Sequence, residues 1–147
     1  MRLKDKVALV TGGSQGIGEA IAKRFAKESA KVAVNYSKST DKARAVVDEI
    51  TAEGGTAKAF QADCSSVPEI ERLIGEVADE FGGLDILVNN AGVFRTVPVE
   101  ETTEAIWDEQ IDLNLKGCFF AVRAALPHFR KRGGGKVINV TSIFGTG

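Results

Sequence analysis

Val7-Ala8-Leu9-Val10-Thr11-Gly12-Gly13-Ser14-Gln15-Gly16-Ile17-Gly18 is the stretch on which the fold turns. Four aliphatic residues without in/out alternation suit a strand buried on both faces of a parallel sheet. A glycine cluster follows, and then Ile17, Ile21 and Phe25 recur at helical spacing, which predicts a helix running to about Lys27. The order strand, glycine turn, helix therefore opens the chain.

The same alternation continues outward from it. Further strands are expected at residues 32–35, 57–62 (the weakest), 86–89 and 137–140, each short and mostly apolar. Ala43, Val46, Val47 and Ile50 predict a helix from about Thr40 that Gly54 and Gly55 stop. Ser66 and Glu69 have capping-box spacing ahead of Ile70, Leu73, Ile74, Val77 and Phe81. A long helix is expected over residues 103–132, with Trp107, Ile111, Leu115, Cys118, Val122, Leu126 and Phe129 on its inner side and a kink or early end at Pro127. Strands alternating with helices predict an α/β fold, a doubly wound parallel sheet in three α/β/α layers, carried by one domain over residues 1–147 and cut off after the fifth strand.

Composition narrows the function. Nineteen basic and 20 acidic residues leave no basic stripe for nucleic-acid phosphates, so nucleic acid is not an expected partner. The apolar run Val7–Val10 is far too short for a signal core or membrane span, so no membrane association is expected and the cytoplasm is the expected compartment. Cys64 and Cys118 form no CxxC pair and read as small buried hydrophobes, with no metal expected.

The glycine loop has the form T-G-x-x-x-G-x-G. Glycine lets the chain turn off a strand and lets backbone approach a pyrophosphate, while the helix that follows offers free N–H groups. A P-loop is excluded because Glu19, not Lys, follows Gly18, and the GxGxxG pattern fails at Ile21. Three later motifs occur in order: Asn89-Asn90-Ala91-Gly92 after a strand, Asn114 in Asn-Leu-Lys-Gly, and Ser142 in Ile-Asn-Val-Thr-Ser. Together with the loop, they resemble the short-chain dehydrogenase/reductase family from Lys6 to Gly147, most like 3-oxoacyl-acyl-carrier-protein reductases and hence, loosely, fatty acid biosynthesis.

That resemblance implies a Rossmann-like fold and a nicotinamide dinucleotide. Gly12, Ser14, Gln15, Gly16, Ile17 and Gly18 would surround its phosphates and ribose. Tyr36 and Ser37 would lie by the adenosine, Asp63 would accept from the adenine amino group, and Cys64 would contribute backbone. Asn90, Ala91 and Gly92 would pass beneath it, with Asn89 an alternative structural pin. Ser142 would bind the carbonyl oxygen and Asn114 would support a proton-relay water. The substrate would be a small carbonyl or alcohol, residues 93–99 part of its rim, and the complete protein a homo-oligomer built partly on the long helix.

No Asp or Glu occurs in residues 29–40, whereas an NAD site usually places a carboxylate at the end of the second strand. The strand end reads Asn35-Tyr36-Ser37-Lys38, where two small polar groups and a cation could meet a 2′-phosphate. A carboxylate there would repel that phosphate by about 4 kcal/mol at 4 Å and an effective dielectric near 20, so its absence favours NADP, with NAD the alternative. The family's NADP enzymes often carry a basic residue inside the loop, where Gln15 stands here. The family's acid is a Tyr followed four residues on by Lys; the sole tyrosine is Tyr36, at the adenosine end, and cannot fill that role. His128, the sole histidine, has no nucleophile spaced for it and reads as a surface or interface residue. The 147 residues alone are therefore expected to be nearly inactive. A non-catalytic nucleotide-binding or interaction module is the other reading; Gly145-Thr146-Gly147, following Ser142 with no helix to cover the fifth strand, favours the fragment of an oxidoreductase.

Overall fold

A computed structural model describes residues 1–142; Gly145 to Gly147 lie outside the described residues. Strands β1 (Val7–Val10), β2 (Lys31–Tyr36), β3 (Thr56–Gln61), β4 (Ile86–Asn89) and β5 (Lys136–Asn139) form one parallel sheet in the order β3-β2-β1-β4-β5. Alternation along β1 sends Val7 and Leu9 to one face and Ala8 and Val10 to the other. Helices α3 (Val67–Phe81) and α5 (Gly117–Lys131) cover the first face with Ile70, Leu73, Ile74, Val77, Ala121, Ala125 and Phe129. Helices α1 (Gly16–Lys27) and α2 (Thr40–Ala52) cover the second with Ala22, Ala26, Val46 and Ile50. Each fully buried Val or Leu stabilises this arrangement by about 1.5 to 3 kcal/mol relative to exposure.

The expected element order holds, and the differences have identifiable causes. Burial on both faces fits β1 and β4 but fails at β5, where Val137 and Ile138 are 37% and 42% exposed, because β5 is an edge of the described sheet. Ser66 stands at the N-cap of α3 without a side-chain cap bond. Glu69 Oε1 instead accepts from the Asp63 N–H at 3.1 Å, so the capping box is not formed and Glu69 braces the turn after β3. On α1 the residues facing the sheet are Gly18, Ala22 and Ala26. Ile17 is exposed, and Ile21 and Phe25 sit at the flank, since small side chains let the helix approach the strands closely.

The long helix is also rearranged. It comprises α4 (Glu104–Ile111), a π-helical turn (Asp112–Lys116) and α5, with no early end at Pro127. In the π turn the Gly117 N–H donates to the Asp112 carbonyl five residues back. That wider turn inserts one residue, about 100° of rotation, into a single apolar stripe. Gly117, Ala121, Ala125 and Phe129 therefore face the core, while Trp107, Leu115 and Phe119 remain 59%, 64% and 65% exposed.

Candidate functional site

The strand order reverses direction between β1 and β4, and in an open parallel sheet the crevice at the carboxyl ends beside such a switch is where a ligand fits. A groove of about 480 Å³ lies there. Its walls come from the loop after β1 (Gly12, Ser14, Gln15, Gly16, Ile17), the end of β2 and beyond (Asn35, Tyr36, Ser37, Lys38, Ser39), the end of β3 (Ala62, Asp63, Cys64), the loop after β4 (Asn90, Ala91, Gly92) and Leu113. A roomier depression of about 660 Å³ between β3 and α3 is lined by charged side chains of the outer edge, among them Lys58 paired with Glu80, and lies away from the switch.

Thr11, at the end of β1, stitches the floor. Its hydroxyl donates to the Val88 carbonyl at 3.2 Å and accepts the N–H groups of Asn90 and Ala91, both at 3.0 Å, which exhausts its one donor and two acceptor sites. Asn90 returns the tie: its side-chain amide donates to the Thr11 and Gly12 carbonyls at 3.1 and 3.0 Å. The loop after β4 is thereby held beneath the loop after β1.

Asn35 fixes the other side. It is buried, its amide donates to the Phe60 and Ala62 carbonyls at 3.3 and 3.2 Å, and its carbonyl accepts from the Gly12 N–H at 3.1 Å and the Cys64 thiol at 3.4 Å. Asn35 is consequently an interior pin that joins β2, β3 and the glycine loop. Burial pushes the Cys64 thiol up to about 12, so it stays a neutral donor. Asp63 Oδ1 accepts from both the N–H and the hydroxyl of Ser65, at 2.9 and 2.6 Å.

The glycine loop fits a pyrophosphate. Gly12 and Gly16 have φ of +60° and +57°, left-handed conformations that an L side chain rarely adopts, and space opens around the Cβ position of Gly16. A Cβ at Gly18 would run into the Gly12 carbonyl and the Asn90 amide. No side chain caps α1, so its first-turn N–H groups and the positive end of its dipole face the groove. The nearest first-turn carboxylate, Glu19, is held by Lys23 at 2.6 Å.

At the opposite end of the groove, Asn114 sits in the π turn. Its side-chain carbonyl accepts from the Val93 N–H at 2.8 Å and its amide donates to the Val93 carbonyl at 2.7 Å, a two-point clamp on the start of the 93–98 segment. Gly92 leaves room for it, because a Cβ there would come within 3.2 Å of Asn114 Oδ1. Arg95 fastens the same segment to α4 through Glu109 at 2.9 Å and Gln110 at 3.3 Å. Asn89 donates to Asn139 Oδ1 at 3.0 Å, tying β4 to β5, and Ser142 is exposed just past β5.

The structure thus gathers Gly12, Ser14, Gln15, Gly16, Ile17, Tyr36, Ser37, Asp63, Cys64, Asn90, Ala91 and Gly92 around one groove, with Gly18 behind the loop and Asn114 beside Gly92. Asn35, expected with Ser37 and Lys38 to meet a 2′-phosphate, is instead buried, and its side chain is spent on interior hydrogen bonds. Two contributors have no role assigned from sequence: Thr11, a letter of the loop motif, and Gly117, a glycine inside a helical pattern. A Cβ on Gly117 would strike the Cys64 carbonyl, so its absence lets α5 seat against the end of β3.

Comparison with known proteins agrees with this geometry. The family model described as short chain dehydrogenase matches residues 6–147. The 3-oxoacyl-[acyl-carrier-protein] reductase FabG of Staphylococcus aureus is 46% identical over 140 residues, 95% of this chain and 57% of that protein. Hydroxynaphthalene reductase of Aspergillus fumigatus is 47% identical over 141 residues, 96% of this chain and 51% of that protein. Among solved structures, a short chain dehydrogenase from Burkholderia cenocepacia in complex with NADP superposes with a TM-score of 0.93 at 42% identity, over 99% of this chain and 59% of that one. A dehydrogenase/reductase from Sinorhizobium meliloti gives 0.90 at 45% identity, over 95% of this chain and 55% of that one. The chain spans little more than half the length of these relatives. With the family model matched over residues 6–147 and relatives at this level of identity, the chain belongs to the short-chain dehydrogenase family.

Proposed function

We propose that residues 1–147 are the dinucleotide-binding domain of an NADP-preferring oxidoreductase that interconverts a carbonyl and an alcohol, with 3-oxoacyl thioesters as the first substrates to try. The preference rests on one observation: the second-strand end of the groove offers Ser37, Lys38 and Ser39 and no carboxylate. The substrate class rests on similarity to a protein named for 3-oxoacyl-acyl-carrier-protein reduction.

A bound nicotinamide cofactor supplies or takes the hydride. In this reading the glycine loop and the α1 N-terminus hold its pyrophosphate, Asp63 its adenine, and Tyr36 and Ser37 flank its adenosine. Asn90 to Gly92 support it from below, and Ser142 hydrogen-bonds the reacting oxygen. The side-chain amide of Asn114 is committed to Val93, so Asn114 would support the proton-relay water by accepting from it at the main-chain carbonyl, which also accepts the Cys118 thiol at 3.3 Å. Tyr36, the sole tyrosine, lines the groove just where this reading puts the adenosine, so in this reading the acid that protonates the alkoxide lies outside residues 1–147. A missing general acid costs about 10²- to 10⁴-fold in rate. The exposed Trp107, Leu115, Phe119 and Leu126 supply an apolar surface for a homo-oligomer. No described helix is long and apolar enough to cross a membrane, and a cytoplasmic location suits the proposed chemistry.

The experiment is to titrate NADPH and NADH by fluorescence, then to fuse the Tyr- and Lys-containing second half of a relative after Gly147 and follow NADPH oxidation with a 3-oxoacyl thioester. Tighter NADPH binding, and turnover that Ser142→Ala lowers strongly, support the proposal. A folded chimera that binds NADPH but reduces no carbonyl compound points instead to a non-catalytic dinucleotide module. Equal affinity for the two cofactors overturns the NADP preference.

A further inference from the structure

The seam between α1 and α2 carries three lysine contacts that differ in charge balance. Lys27 meets Glu53 at 3.3 Å and Lys23 meets Glu49, each a cation against a carboxylate. At the groove end the partner is neutral: Lys42 Nζ donates to Gln15 Oε1 at 2.8 Å. Among the described residues Lys42 makes no ion pair, so its positive charge stands beside the glycine loop uncompensated.

The pairing also sets what the loop presents. With Oε1 accepting from Lys42, the remaining polar atoms of Gln15 are the two N–H donors of its amide, and Lys42 keeps two further donors of its own. The pair therefore brings a positive charge and N–H donors to the loop, the features an arginine at that position would bring. Its surroundings suit an anion. Ser37, Lys38 and Ser39 line the adjoining wall, and the single carboxylate among the lining residues, Asp63, lies after β3 and accepts from Ser65. Asp41 and Lys42 both stand on the first turn of α2 and neither lines the groove; Lys42 reaches it through its bond to Gln15, which does. Burial of Ala43 and Val46 against the sheet anchors the turn that bears Lys42.

We propose that Lys42, held over the glycine loop by Gln15, is a specificity-determining residue that supplies the cation for the cofactor's 2′-phosphate. This inference rests on the NADP reading above and adds to it the group that carries the preference.

The test is calorimetric titration of the protein with NADPH, NADH, adenosine 2′-monophosphate and adenosine 5′-monophosphate, for wild type and variants whose circular dichroism matches it. Lys42→Met is expected to weaken NADPH and adenosine 2′-monophosphate by about tenfold while leaving NADH within about twofold. Lys42→Arg should retain NADPH affinity. In a Gln15→Arg background, where the loop carries its own cation, Lys42→Met should cost less than about threefold, a coupling that a purely structural role does not produce. Equal weakening of NADPH and NADH overturns the proposal, as does a preference that survives Lys42→Met and disappears in Lys38→Met. Wild type binding NADH as tightly as NADPH removes the underlying reading and the proposal with it; a clear wild-type preference indifferent to Lys42 removes the proposal alone.

Discussion

Helices α1 and α5 lie on opposite faces of the sheet and use the same device. Gly18, Ala22 and Ala26 on one, and Gly117, Ala121 and Ala125 on the other, place a glycine followed by alanines every four residues against the strands. Each glycine lets helix meet backbone: Gly18 against the Gly12 carbonyl and Asn90 amide, Gly117 against the Cys64 carbonyl. The outcomes differ because α1 begins at its close contact while α5 is entered through a π turn. At α1 the contact brings uncapped N–H groups and a positive dipole end to the groove. At α5 the backbone continues as helix on both sides, and a side chain, Asn114, does the reaching. Close packing of small residues is thus a positioning tool in both places, and the local helix ending decides whether main chain or side chain is delivered.

The largest effects should come from the two glycines. Gly117→Val is expected to destabilise by about 3 kcal/mol or more, measured by urea unfolding, because a branched side chain must displace the Cys64 carbonyl. Gly18→Ala should remove dinucleotide binding, at least about 100-fold in Kd, since the collision is with the loop that would hold the phosphates. Gly117→Ala should lower stability and leave affinity of the folded protein within about threefold. If both alanine variants lost affinity equally, the two helices would not have separate roles.

Thr11→Val should cost about 2 to 3 kcal/mol, because it leaves the Asn90 and Ala91 N–H groups without their acceptor, and Thr11→Ser should recover most of that. Full stability in the valine variant would show that water replaces the hydroxyl and that the loops are not stitched by it. Asn114→Ala should cost about 1 kcal/mol and speed amide exchange at Val93, while exchange in α1 stays unchanged. Unchanged protection at Val93 would break the argument that α5 works through a side chain.

The smallest effect concerns the far end of α1. Glu28 accepts from the Arg2 guanidinium and N–H, the terminal ammonium and Arg24, and these bonds hold its carboxyl far below its usual 4.5. A depressed folded-state value means stability that is present above about 4.5 and lost as pH falls toward the folded value. Glu28→Gln should therefore be less stable than wild type near neutrality, with the gap in Tm closing as pH drops below 4.5. A gap that stayed constant to low pH would show that the charge on Glu28 is not involved.

Much of this was determined by the sequence alone. The run of residues 7–18, the apolar character of the central strands and the NNAG motif define local conformations whose causes are short range: glycine's access to positive φ, strand propensity, and a strand followed at once by a helix. Parallel pairing and the position of the groove follow from those in order. Tertiary structure alone decided the rest. Ser66 and Glu69 have the letters of a capping box, yet Glu69 is drawn to the Asp63 N–H by the turn after β3. The stripe from Trp107 to Phe129 is continuous in sequence, but a π turn rotates its halves apart, and helical periodicity carries no information about such an insertion. Thr11 and Asn35 matter through partners 77 to 80 and 23 to 29 residues away, and the Lys42–Gln15 contact spans 27. A hydrogen bond between such distant residues is set by how the strands pair and the helices pack, which short-range preferences do not encode.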